Sequence, residues 1–224
     1  MFSAENFLGA SKQIFKYLRY KIMGIRDNKM GILSGDAFSI IGGRMKSKLG
    51  FITPTVMTVF EFFLEDPMKE YYEREVVRKT GVSKGSAGKI LKLLTSLGFL
   101  TREKRGVMAI YKLNLKEPSV RQFKILVNTF ALKPLTDRLK EHSRKIVLFG
   151  SCSQGTDAKD SDIDVLVIAQ EKEPIKKIIS EFNQKSYRRI APIVVNMNEY
   201  VSLKREDKPL YENVERGITL WETE

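Results

Sequence analysis

What the 224-residue chain has little of narrows the field before any motif is read. One cysteine, Cys152, leaves no partner for an intramolecular disulfide, so no disulfide framework can hold this fold and a reducing compartment fits. One histidine, His142, has no histidine or cysteine beside it in sequence. That makes it a poor metal ligand, excludes a histidine-based triad as the simple reading, and leaves it as an exposed residue at a helix end. No apolar run approaches the ~20 residues of a membrane span, and no secretory signal is evident. With 42% hydrophobic and 29% charged residues, the composition is that of a globular, cytoplasmic protein with ample sequence for a core.

Acidic charge is short in one part of the chain only. Residues 1–142 hold 26 Lys+Arg against 13 Asp+Glu, whereas residues 143–224 hold 13 against 14, for a net charge of +12. A basic first part and a nearly neutral second part point to an anionic partner for the first, nucleic acid before membrane. A solvated basic surface would give the same count.

The most informative stretch is Ile146 to Ile168. An apolar run, Ile146 to Phe149, stops at Gly150-Ser151; a polar segment containing Gly155 follows; Asp162 and Asp164 then open a second apolar run, Val165 to Ile168. Short apolar runs bounded by glycine and polar residues read as buried strands. Carboxylates two apart project from one face of a strand and repel each other unless a cation lies between them. A hard ion such as Mg²⁺ (or Mn²⁺) meets that need, held by one or two carboxylates and substrate phosphates. Gly150 allows close approach of a phosphate, and Ser151 would start a helix with free N–H groups.

Gly150-Ser151, ten intervening residues with Gly155 and Ser161 among them, and Asp162-Ile163-Asp164 together resemble the motif of minimal nucleotidyltransferases of the DNA polymerase β superfamily. The likeness covers roughly Arg144 to the C-terminus. It implies catalytic, metal-holding roles for Asp162 and Asp164, nucleotide binding at Gly150 and Ser151, and a nucleoside triphosphate as substrate. It also implies transfer of a nucleoside monophosphate to a protein or nucleic-acid hydroxyl. Small members act as antitoxins on a partner toxin, often of the HEPN ribonuclease class. The chain departs from the pattern in one respect. Active members carry a third carboxylate on a later strand, and the matching segment here, Ala191 to Asn196, has none; Glu199 is the nearest acid, at an expected helix start. Without that group a metal ligand and a base for the attacking hydroxyl are lost. Cys152 lies inside the cradle; a small residue filling the turn is the simpler reading, because no basic neighbour in sequence would stabilise a thiolate.

Ahead of this motif, residues 51–115 read as helix, helix, helix and hairpin. Pro54 suits a helix start, with Val56, Val59, Phe60, Phe63 and Leu64 as its apolar stripe. A second helix is expected over Tyr71 to Thr80, ending at Gly81. A third runs from an N-cap at Ser83 to Leu97, with Ala87, Ile90, Leu91 and Leu94 inward. Strands Phe99 to Arg102 and Val107 to Leu113 follow, joined by a basic Lys104-Arg105-Gly106 turn. This order resembles a winged helix-turn-helix domain, which implies double-stranded DNA as partner and Lys84, Lys89, Lys92, Arg102 and Arg105 as DNA-binding residues. A winged helix used for protein contacts has the same pattern, and Gly85 and Gly88 leave few side chains for base readout.

Residues 1–30 carry an amphipathic helical pattern (Phe7, Leu8, Ile14, Phe15, Leu18, Ile22) that suits packing or homodimerisation, a membrane surface, or a basic arm on DNA. Residues 31–50 read as an irregular, glycine-rich connector. Val120 to His142 reads as a long linking helix that Pro134 kinks or splits. Beyond Ile168, helices are expected over Glu173 to Lys185, Glu199 to Arg205 and Pro209 to Leu220, with a strand at Ala191 to Met197. The expected class is therefore α+β, an N-terminal helical and winged-helix region before a small α/β nucleotidyltransferase domain with a mixed sheet. The expected bounds are 1–50, 51–117, 118–143 and 144–224. Two functions from different classes stand: a Mg²⁺-dependent nucleotidyltransferase, or a DNA-binding regulator whose degenerate transferase domain only binds nucleotide or a protein partner.

Overall fold

A computed structural model of the protein describes residues 49–223. The amphipathic pattern of residues 1–30 and nearly all of the connector lie outside the described residues. By its internal contacts the chain divides into two compact units, Met1–Phe60 and Glu61–Glu224. Of the first, the structure describes a turn at residues 49–51 and the opening of helix α1 (Pro54–Glu65). Proline at its first position costs no hydrogen bond, and Val56, Val59 and Phe60 lie on its buried stripe.

The second unit begins with a three-stranded sheet and two helices: β1 (Glu70–Tyr72), α2 (Glu73–Thr80), α3 (Lys84–Ser96), β2 (Leu100–Arg105) and β3 (Met108–Leu113), in sheet order β1-β3-β2. The expected second helix starts two residues late, because Glu70–Tyr72 pairs antiparallel with Ile110–Lys112. The period there is two: Tyr71 is buried against Phe63 while Glu70 stays exposed. Helix α3 follows the expectation. Ser83 Oγ accepts from the Ser86 N–H, and Ala87, Ile90, Leu91 and Leu94 are its buried residues. The hairpin corrects the expected basic tip. Pairing continues to Arg105↔Met108, so Lys104 and Arg105 lie on the strand and the two-residue tip is Gly106-Val107.

Helix α4 (Pro118–Leu139) runs unbroken, with a 3₁₀ turn Lys140–His142 after it. Of the kink or split expected at Pro134, the split does not occur: Pro134 lies inside the helix, exposed, and the buried Leu132, Leu135 and Leu139 keep one stripe through that point. His142 is exposed, as expected.

A four-stranded mixed sheet follows, in order β6-β5-β4-β7. Its strands are β4 (Lys145–Phe149), β5 (Ile163–Ile168), β6 (Ile190–Val195) and β7 (Ile218–Glu222); β5 and β6 are parallel, the other pairs antiparallel. One face (Ile146, Leu148, Val165, Val167) packs with α4 and α6 (Lys172–Asn183) through Leu132, Leu135, Leu139, Ile175 and Ile179. The other (Val147, Phe149, Leu166, Ile168) packs with α7 (Met197–Glu206) and α8 (Lys208–Glu215) through Tyr200, Leu203, Leu210 and Val214. Each fully buried aliphatic side chain contributes about 1.5–3 kcal/mol, so strand alternation fixes which residues face which layer. The expected helix over Pro209 to Leu220 ends at Glu215, and Ile218–Glu222 is an edge strand: Ile218 and Leu220 face the α4 layer, while Thr219 and Trp221 are exposed. The C-terminal part is thus mixed α/β with a mixed sheet. No helix among the described residues is long and apolar enough to cross a membrane.

Candidate active site

Strand β4 ends at Phe149, and Gly150 opens a one-turn helix, α5 (Gly150–Gln154). Gly150 has φ +69, and a Cβ there would overlap the Asp164 carboxylate. Phe149 pairs with Asp164 across β4 and β5, so the backbone turn and the carboxylate lie against each other. Only glycine accepts both the left-handed backbone and that approach. Asp162 lies one residue ahead of β5, exposed, while Asp164 is half-buried. Burial, and then the charge of Asp162, raise the Asp164 carboxyl above the usual range. Ser151 sits partly exposed beside Gly150, and Ser153 Oγ donates to the Gly150 carbonyl at 2.8 Å. The structure thus brings Gly150, Ser151, Asp162 and Asp164 to one end of the sheet.

A buried polar cluster that sequence reasoning missed holds this end in shape. Asp157 and Lys124 are each 3% exposed, and their side chains pair at 3.3 Å. Lys124 Nζ also donates to the carbonyls of Asp157 (2.8 Å) and Leu64 (3.3 Å). Arg188 pairs with Asp157 at 2.9 Å, donates to the Ser161 carbonyl at 3.0 Å, and points its other guanidinium nitrogen at Cys152 Sγ, 3.0 Å away. Asn128 Nδ2 bridges the Cys152 carbonyl and Asp157 Oδ1. Gly155 (φ +65) seats the loop on α4, since a Cβ there would strike the Arg121 carbonyl. Burial lowers the Lys124 pKa, and Asp157 opposes that shift. Cys152 therefore does have a basic neighbour, supplied from 36 residues away; burial nevertheless outweighs Arg188 and pushes the thiol pKa up, so this is an inert, packed cysteine. No local pattern in the sequence announces these contacts.

Among the described residues, β6 presents no third carboxylate beside Asp162 and Asp164. Asp164 pairs with Ala191 and Leu166 with Ile193, so Ala191, Ile193 and Val195 share the Asp164 face of β6. Glu199 is engaged elsewhere: it closes a capping box with Asn196 and pairs with Lys172 at 2.6 Å, which holds its carboxyl below the usual range. Among the described residues no group of three or more His, Cys, Asp or Glu could hold a metal.

The residues expected on DNA lie far along the sequence from this end. Lys84, Lys89 and Lys92 are exposed on α3, and Arg102 is exposed on β2. Arg105 is exposed but paired, to Glu70 at 2.9 Å and Glu103 at 3.1 Å. Glu73 lies against Gly88 in the middle of α3.

Residues 132–216 match the family model of the nucleotidyltransferase domain. No curated protein and no solved structure matches the chain. The matched segment spans all four landmarks of the site and supports a general nucleotidyl-transfer activity.

Proposed function

We propose that the nucleotidyltransferase domain binds a nucleoside triphosphate at Gly150 and Ser151, with Mg²⁺ (or Mn²⁺) held by Asp162 and Asp164. It transfers the nucleoside monophosphate to a hydroxyl of a protein or nucleic acid. The observation that carries this reading is the packing of the Asp164 carboxylate on the left-handed turn at Gly150, which makes one site of the cradle and the carboxylates. The donor set fits the ion: two carboxylates, completed by water and phosphate oxygens, suit a hard divalent cation. Such a cation, when bound, neutralises phosphate charge and stabilises the leaving group.

The chain's own residues do the positioning. The missing side chain at Gly150 lets the Asp164 carboxylate lie on the backbone turn, and Ser151 Oγ makes no hydrogen bond among the described residues, so it is available to a phosphate. The cluster around Asp157 anchors both arms of the loop, at Cys152 and at Ser161, next to Asp162. No carboxylate stands level with Asp164 on β6 to take the acceptor's proton, which lowers the expected rate by about 10²–10⁴-fold unless the acceptor supplies a base. The position for restoring one is Ala191, the direct partner of Asp164; Ile193 is partly buried in the α7–α8 core.

Residues 51–117 we read as a winged helix-turn-helix domain, with α3 as the groove helix and β2–β3 as the wing, joined to the transferase domain by the linking helix. Lys84, Lys89, Lys92 and Arg102 are its phosphate contacts. The regulator reading keeps one specific observation in its favour, the engagement of Glu199 by Lys172 and Asn196. Incubation with labelled nucleoside triphosphates, Mg²⁺ or Mn²⁺, and DNA, RNA or a HEPN-type protein separates the two. Label transferred by the wild type and lost in Asp162→Ala/Asp164→Ala supports the enzyme. Nucleotide binding without transfer, even by Ala191→Asp, leaves the regulator.

A further inference from the structure

The strand that supplies no carboxylate supplies a cation at its mouth. The Arg189 carbonyl accepts from the Ile163 N–H at 2.9 Å, so the β5–β6 ladder already runs at that residue. Along β6, Ile190 and Val194 face the α4–α6 layer while Ile193 and Val195 face the α7–α8 layer. By that alternation Arg189 falls with Ala191 on the Asp164 side. Its neighbour agrees with the alternation: the Arg188 guanidinium points the opposite way, to Asp157 and Cys152.

Arg189 is exposed and makes no ion pair or hydrogen bond through its side chain among the described residues. Arg188, Arg138 and Arg105 of this unit are paired within the chain, whereas among the described residues Arg102, Arg144, Arg205 and Arg216 are not, so it is its place beside Asp162 and Asp164 that singles out Arg189. It is the one charged residue in line with this face, immediately ahead of β6, with Ala191, Ile193 and Val195 beyond it. Neighbouring strands lie about 4.8 Å apart, so a guanidinium at this point is within side-chain reach of whatever occupies the space over Asp162 and Asp164. A site with two carboxylates rather than three also brings less negative charge to meet a polyanion. An arginine in that setting, planar and permanently charged, suits paired phosphate oxygens.

We propose that Arg189 is a phosphate-binding residue of the candidate nucleotide site, gripping the polyphosphate of a nucleoside triphosphate directly. This rests on the nucleotide-binding reading above. Because the contact is made by the protein itself, its contribution survives removal of the divalent cation, unlike that of Asp162 and Asp164.

The test measures calorimetric affinity of the full chain for ATP, GTP and inorganic tripolyphosphate, each with Mg²⁺ and again with excess EDTA. Wild type, Arg189→Ala, Arg189→Lys and Asp162→Ala/Asp164→Ala are compared. Charge-assisted hydrogen bonds contribute enough that Arg189→Ala should weaken tripolyphosphate binding about 10- to 100-fold in both conditions. Arg189→Lys should recover part of that loss, since it restores the charge without the fork. The double aspartate variant should weaken binding with Mg²⁺ and not with EDTA. Unchanged affinity of Arg189→Ala while wild type binds normally overturns this inference alone. Absence of any triphosphate or tripolyphosphate binding by wild type overturns it together with the nucleotide reading.

Discussion

Charge is used in opposite ways by the helix–hairpin segment, residues 70–113, and by the sheet that carries the site, residues 145–222. On the hairpin, five of the six residues of β2 are exposed, and the Arg105 pairs with Glu70 and Glu103 stand in water. At the sheet, Lys124 and Asp157 are almost completely buried, with Arg188 closing over them. Exposed pairs contribute about 0–1 kcal/mol, because water and salt screen them and two long side chains must be ordered. Buried pairs add little net stability as formed, yet breaking one strands an uncompensated charge at about 3–5 kcal/mol. The unpaired, exposed charges of the helix–hairpin segment, Lys84, Lys89, Lys92 and Arg102, are therefore open to a partner, whereas the cluster's charges fix the shape of one loop.

The sharpest way to break that comparison is to remove one acid from each region. Asp157→Ala should lower unfolding stability by about 3–5 kcal/mol, because Lys124 and Arg188 lose their shared counter-ion. Glu103→Ala should leave stability nearly unchanged, because its carboxylate stands in water. Urea denaturation of both variants decides; equal losses would mean that burial does not separate the two regions.

What could be read from the sequence follows the same division. That Gly150, Ser151, Asp162 and Asp164 come to one end of a sheet is legible, because a strand, a turn and a strand contiguous in sequence carry them. The buried face of α3 was legible because a helical period repeats locally, and the structure has it in Ala87, Ile90, Leu91 and Leu94. Arg188 was not, since it reaches Cys152 across 36 residues. Nor was β7: Ile218 and Leu220 alternate over five residues after a helix, too short a run to separate from its continuation. The hairpin tip was misplaced because Lys104-Arg105-Gly106 looks like a turn by composition, while cross-strand pairing carries the strand through Arg105.

The next largest effect falls on the turn. Gly150→Ala forces a side chain into left-handed backbone at about 1–2 kcal/mol and drives its Cβ into the Asp164 carboxylate. Metal-dependent triphosphate binding should fall at least tenfold, while far-ultraviolet circular dichroism stays that of the wild type. A variant that binds normally would mean that Asp164 can move away from Gly150 without consequence.

Asp164→Asn should produce a smaller change of opposite sign. Burial and Asp162 raise the folded-state pKa of this carboxyl, so its contribution to stability is full below the ordinary aspartate range and is lost as pH rises through the folded value. A cation held as proposed would favour the ionised form and offset that cost. The metal-free variant should therefore melt at or slightly above the wild type, and if Asp162 and Asp164 hold Mg²⁺ as proposed, it should show less of a rise with added Mg²⁺ than the wild type. A clear drop in the metal-free melting temperature would show that Asp164 serves the fold rather than the cation.

The smallest effect separates charges within the hairpin segment itself. If α3 and β2 meet DNA, each phosphate contact adds about 0.9 to the slope of log affinity against log salt. Lys84, Lys89 and Lys92 are exposed on α3, so replacing all three with alanine should lower that slope by about two to three. Arg105 is exposed too, but Glu70 and Glu103 already neutralise its guanidinium. Arg105→Ala should thus leave the slope nearly unchanged, whereas Glu70→Gln/Glu103→Gln should steepen it by releasing the arginine to a phosphate. A large loss from Arg105→Ala would mean that DNA breaks those pairs on binding, and exposure would then no longer distinguish charges that wait for a partner from charges already paired within the chain.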